Sequence, residues 1–187
     1  MIKRIEISRD LADLIVFMVN SYVRPTDIRN MQHKHIEVIK RQELQYLRMT
    51  LPPSKGHSFP IVTMPWAVTV YERIVKRHTQ EFGHEPLPDD YVFLPRAASR
   101  DFAMKQLAKQ FEIVLEISHL KYSTTNEART LYSLRHSCIM YRLLFGRGID
   151  TLTLARNART SVEMVEKFYS SNLAAEMNID LLQGRRD

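Results

Sequence analysis

Apolar positions recur every three or four residues between positions 7 and 23, where Leu11, Leu14, Ile15, Met18, Val19 and Tyr22 share one stripe. That period predicts an amphipathic helix with Ser8 as its N-cap. Arg24-Pro25 ends it, because proline disfavours helical geometry at the residue before it yet suits the first position of a new helix. A second short helix is therefore expected over 26–35. From 36 to 65 the period shortens: 36–39, 44–50 and 59–65 read as β-strands, and the last two flank the turn-rich Pro52-Pro53-Ser54-Lys55-Gly56-His57-Ser58. A small antiparallel sheet follows, with Lys55 at a hairpin tip. Helical spacing returns over 66–82, with Val70, Ile74 and Val75 on its stripe and Gly83 as its stop. After a loop at 85–90 and a short apolar run at 91–94, a long helix is predicted over 100–117, with Phe102, Leu107, Phe111 and Leu115 inward. Another spans 130–145, with Leu131, Leu134, Cys138, Tyr141 and Leu144 or Phe145 inward, ended by the turn Gly146 to Gly148. Short helices are expected at 150–157 and 161–169, and a last apolar segment carries Leu173, Met177 and Leu181.

These elements fit one mixed α+β domain, mostly helical, with its sheet at one edge. The 187 residues leave room for one core and no second large domain, and no repeat or linker divides them. With 44% hydrophobic and 26% charged residues, disordered and fibrous classes are excluded. The longest apolar run, Leu14 to Val19, is far too short to span a bilayer. The first ten residues lack the apolar core of a secretory signal, and Cys138 is the single cysteine, so a cytoplasmic protein without disulfides is expected. Twenty-seven basic against twenty-one acidic residues give a net charge of +6, which suits a polyanionic partner without identifying one. The nine methionines read as core filler. The triplet His33-Lys34-His35 invites a metal reading, but residues two apart point to different sides of a helix and no third ligand lies at useful spacing. No metal is expected.

Three cationic positions stand at element junctions: Arg24 at a helix start, Lys55 at the hairpin tip and Arg135 near the start of the helix at 130–145. Tyr169 closes a short helix. These residues carry a resemblance to the catalytic domain of the tyrosine recombinase, or phage integrase, family, over roughly 5–182. The segment VRPTDIRNMQHKHI, residues 23–36, resembles its first arginine box, with Arg24 and Asp27 on the arginine and the following acid. LYSLRHS, 131–137, resembles the second, usually a His-x-x-Arg-His run; Arg135 and His136 match its end, and Tyr132 stands where the first histidine usually is. ARTSVEMVEKFYSS, 158–171, is similar to the third, in which a Leu-Gly-His or like triplet precedes the nucleophilic tyrosine by nine residues; Thr160 takes the histidine place and Tyr169 the tyrosine. Lys55 falls between the first two boxes, where the family carries its lysine; Lys34, Lys40 and Arg48 are its rivals.

The resemblance implies site-specific breakage and rejoining of DNA through a 3′-phosphotyrosine, as in integration or excision of a mobile element. Attack of a tyrosine oxygen on a phosphodiester places extra negative charge on the non-bridging oxygens. Guanidinium groups fixed beside those oxygens favour that state, the role implied for Arg24 and Arg135. Lys55 would protonate the leaving 5′-oxygen and Tyr169 would hold the 3′-phosphate. Because the link conserves the bond energy, neither metal nor ATP is implied. Tyr132, with an ordinary pKa of about 10, can donate a hydrogen bond to phosphate but cannot act as an imidazole near neutral pH. Thr160 offers a smaller neutral donor. Asp27 is read as holding Arg24, and His136 as a buried, hydrogen-bonded support. The partners implied are double-stranded DNA and other protomers in a DNA-bound tetramer, with no membrane and no small-molecule substrate. Residues 171–187 read as a docking tail, and the N-terminal core-binding domain of full-length relatives is absent from the chain. Two other readings share parts of this pattern: a telomere resolvase or type IB topoisomerase, and a weakened DNA-binding remnant.

Overall fold

The computed structural model describes residues 6–53, 58–146 and 148–169, with the backbone alone at Tyr169. Lys55 and the apolar segment with Leu173, Met177 and Leu181 lie outside the described residues.

Helix α1 (Arg9–Met18) starts where the Ser8 hydroxyl accepts the Leu11 N–H. Helix α2 (Pro25–Arg29) has proline at its first position, and the Asp27 carboxylate accepts the Arg24 N–H at 2.8 Å. The expected helix over 26–35 is thus cut short. Gln32 instead forms a β-bridge with Tyr91, and His33 and Lys34 donate their N–H groups to the Asp90 and Pro88 carbonyls, so tertiary backbone pairing overrides the local helical period. A single 3-10 turn, His33–His35, leads into the sheet.

Strands β1 (Ile36–Arg41), β2 (Leu44–Met49) and β3 (Ile61–Val62) form an antiparallel sheet in the order β1-β2-β3. Met49 faces both Ile36 and Ile61 in register, and Leu47, Met49 and Ile61 turn inward, against α3 (Pro65–Phe82). Gly83, at φ 78, stops α3 in the left-handed conformation that glycine takes without strain.

Helix α4 (Arg100–Ile117) is capped by Ser99 and α5 (Leu131–Phe145) by Thr130. Helix α1 packs against α3, α4 and α5, and this layer holds the core around Leu11, Leu14, Phe17 and Met18. Phe102 and Tyr141, expected inside, are 58% and 53% exposed, and of the pair Leu144 or Phe145 it is Leu144 that is partly buried while Phe145 is exposed. Both helices carry apolar residues around much of their circumference, and these three lie off the sides that pack on α1 and, for α4, on α2. Helices α6 (Thr151–Asn157) and α7 (Val162–Tyr169) pack together at the end of the described chain.

Candidate active site

The turn between α6 and α7 brings together Arg24, Arg135 and Thr160. Arg135 lies one turn into α5 and is buried, and its guanidinium donates to the Tyr22 carbonyl through Nη1 and to the Ala158 carbonyl through Nη2. Arg24, at the N-cap of α2, is buried too, and its Nη2 donates to the next carbonyl along, that of Arg159. The two arginines are therefore anchored on consecutive peptide groups. Arg24 Nη1 is fully buried without a hydrogen-bond partner among the described residues.

The backbone that supplies these anchors is strained. Tyr22 and Arg159 sit at φ 59 and φ 52, a region that costs a residue with a side chain about 1–2 kcal/mol. Each presents its carbonyl to one of the two arginines. Such strain persists only where the surroundings over-determine it, and it clusters at functional sites.

Beside Arg135 opens a small cleft of about 120 Å³, lined by Tyr132, Arg135, His136, Ile139, Thr160, Met164 and Phe168. Its walls come from the second and third sequence boxes, which the fold brings face to face. Tyr132 is 41% exposed and its ring lies 5.0 Å from that of His136, centroid to centroid. His136, expected to be buried, is half-buried and lines this cleft; its ring also lies 6.0 Å from that of Phe168. Burial, and secondly the Arg135 guanidinium, hold the imidazole below its usual value of 6.5, so it is neutral at pH 7. Thr160, half-buried, donates its N–H to the Ala155 carbonyl at 2.9 Å, which closes the turn. Ser161 then starts α7, its hydroxyl accepting the Met164 N–H, and α7 runs to Tyr169.

Asp27 does more than cap α2. While Oδ2 takes the Arg24 N–H, Oδ1 lies 3.6 Å from Arg159 Nη1. Arg159, a fully buried arginine, escapes sequence reading; the one available signal is a long cationic side chain in the middle of the triplet Ala158-Arg159-Thr160, where the resembling motif carries glycine. Its Nη2 also donates to the Pro52 carbonyl at 2.7 Å, and Asn157 both accepts the Val62 N–H at 2.8 Å and donates to the Val62 carbonyl at 2.9 Å. Both ends of the connection from β2 to β3, the segment that contains Lys55, are tied to this turn. Of the rival cations, Lys34 pairs with Asp89 and Lys40 with Glu72, whereas Arg48 is exposed on β2.

No family model matches the chain, and no curated protein matches it. Solved structures do. A variant of the Tn1549 transposon integrase, in complex with transposon right end DNA, aligns over 94% of this chain and 58% of its own, with a TM-score of 0.57 and 12% identity. A second variant of the same integrase, in complex with a circular intermediate DNA, aligns over 93% and 58%, with a TM-score of 0.54 and 12% identity. The fold is that of an integrase catalytic domain with a small antiparallel sheet. The chain spans less than two thirds of the length of those integrase chains.

Proposed function

We propose that this chain breaks and rejoins DNA strands through a 3′-phosphotyrosine link, as a tyrosine recombinase does. One observation carries the reading: two buried guanidiniums, from elements far apart in sequence, are fixed on consecutive carbonyls of the turn that leads to Tyr169. Placing two cations in a dry site is costly unless an anion arrives to share them, and a phosphodiester entering a pentacovalent state is such an anion. The fold shared with DNA-bound integrase structures and the net charge of +6 support DNA as the partner.

In this reading the Tyr169 phenol oxygen bonds to phosphorus while the bond to the 5′-oxygen breaks. The phenolic proton leaves to a base in the cleft, of which the neutral imidazole of His136 is one, and Lys55 supplies a proton to the 5′-oxygen. Arg24 and Arg135 hold the non-bridging oxygens, with Tyr132 and Thr160 as neutral donors beside them. Attack by a different 5′-hydroxyl reverses the steps and joins new strands. The activity belongs with other protomers in a DNA-bound tetramer.

The test is covalent capture. The chain is mixed with nicked duplexes tiled across the DNA flanking its gene, and an adduct that survives denaturing electrophoresis is sought. An adduct from the wild type that disappears in Tyr169→Phe is expected. Salt-sensitive DNA binding with no adduct on any duplex would favour the DNA-binding remnant, a reading encouraged by Tyr132 and Thr160 in places where the family's boxes carry histidine.

A further inference from the structure

We infer that Arg159 is a positioning residue for the strand-transfer reaction, one that holds Arg24 in the orientation the phosphate requires. The inference rests on the recombinase reading above and deepens it. Where the resembling motif has glycine, this chain has an arginine, and the backbone there keeps the left-handed conformation natural to glycine, φ 52. A side chain retained at such a position must be held by its contacts.

Besides the hydrogen bond from its Nη2 to the Pro52 carbonyl, the contacts of Arg159 bear on Arg24 from two sides. Through its carbonyl, Arg159 accepts Arg24 Nη2; through its guanidinium, it pairs with Asp27, whose other oxygen accepts the Arg24 N–H. Arg24 is thus gripped at both ends, side chain and backbone, by a loop that includes Arg159. Its remaining terminal nitrogen, Nη1, is buried with no hydrogen-bond partner among the described residues. Arg159 adds electrostatics as well. It faces the Asp27 carboxylate and, less closely, the Arg24 charge, and burial lowers its own pKa. Pairing with Arg159 holds the Asp27 carboxylate where its other oxygen accepts the Arg24 N–H, so the two contacts act on Arg24 together.

A residue that acts through Arg24 should matter only when the scissile phosphate is charged. Adduct formation is therefore measured for the wild type, Arg159→Gly, Arg159→Lys and Asp27→Asn on nicked DNA bearing either an ordinary phosphodiester or a methylphosphonate at the scissile position, which replaces one charged oxygen by a neutral methyl group. Melting by circular dichroism accompanies each variant. Arg159→Gly relieves the backbone strain and Arg159→Lys restores the charge; if either fails to fold, Asp27→Asn tests the same link from its other end. On the phosphodiester, Arg159→Gly and Asp27→Asn are expected to form adduct about 10- to 100-fold more slowly at saturating DNA, with Arg159→Lys partly rescued. On the methylphosphonate the gap to wild type should shrink to within about threefold, because the neutral linkage no longer brings Arg24 the negative charge that its placement serves. An equal loss on both substrates would make Arg159 a structural residue only and overturn this inference while leaving the recombinase reading intact. Absence of adduct from the wild type on the phosphodiester would overturn both.

Discussion

Asp13 illustrates what a single buried carboxylate holds together at the residue scale. It lies on the inner half of α1, 3% exposed, and accepts Arg73 Nε at 2.7 Å while pairing also with Arg77 from α3. Asp10, one turn away, pairs with Arg77 and accepts the Leu94 N–H. Replacing Asp13 by asparagine keeps its shape but leaves the largely covered Arg77 with Asp10 as its remaining carboxylate, and removing the buried member of such a pair costs about 3 kcal/mol. Urea unfolding of Asp13→Asn should show that loss, whereas Arg73→Gln, whose side chain is half exposed, should cost about 1 kcal/mol or less. A similar cost for both variants would mean that the two arginines share the carboxylate equally. Neither Asp13 nor Arg159 announces itself in the sequence, because hydrophobic periodicity reports the apolar face of a helix and is blind to a charged residue on that face with its partner tens of residues away. The catalytic arginine candidates were readable for the opposite reason: Arg24 precedes a helix-starting proline and Arg135 sits in a recognisable run, so local chemistry marks both.

Among the elements, the connection from β2 to β3 depends on the α6–α7 turn. Asn157 pairs with both backbone polar groups of Val62 as a neighbouring strand would, and Arg159 fixes the other end at Pro52. Asn157→Ala removes the first tie. Its stability cost should be about 1–2 kcal/mol, for two partly exposed hydrogen bonds. Its cost to cleavage is diagnostic if Lys55 delivers the leaving-group proton: about a 10-fold slower reaction on ordinary DNA, but near wild-type rates on DNA with a bridging 5′-sulfur, since a thiolate departs without protonation. Equal slowing on both substrates would detach the loop from acid catalysis. Element boundaries were legible in the sequence wherever capping chemistry marks them: Ser8, Ser99, Thr130 and Asp150 each accept an N–H two or three residues on, and Gly83 ends α3. They were not legible after Arg29, where the chain leaves helix to pair with Asp90, Tyr91 and Pro88, partners that no local pattern contains.

For the whole molecule, the placement of its histidines sets how stability responds to acid. Burial, with the neighbouring His78 second, lowers His33 to about 4, and its Nδ1 meets the Tyr71 hydroxyl at 2.9 Å. His35 and His136 are shifted downward too, each chiefly by burial. The unfolded chain therefore binds protons near pH 6.5 that the folded chain still refuses, and stability is fully present above that pH and falls as pH drops toward 4. One carboxylate works the other way: burial raises the pKa of Asp10, so the folded state accepts its proton before the unfolded chain does, which offsets part of the loss near the acid end. Glu112, held near 2 by hydrogen bonds from Lys121 and Lys109, adds to the loss only below about pH 4.5. Between pH 7 and pH 4.5 the histidine at position 33 dominates, with a loss of about 2 kcal/mol by the linkage between its two pKa values. Urea midpoints measured at pH 7.0, 6.0, 5.0 and 4.5 should fall steadily, and His33→Gln should flatten most of that slope while lowering stability at pH 7. A wild-type slope that His33→Gln leaves unchanged would shift the acid sensitivity to His35 and His136. In that case acid would act on the cleft itself, because a protonated imidazole beside Arg135 adds a third positive charge to the place where the phosphate is proposed to bind.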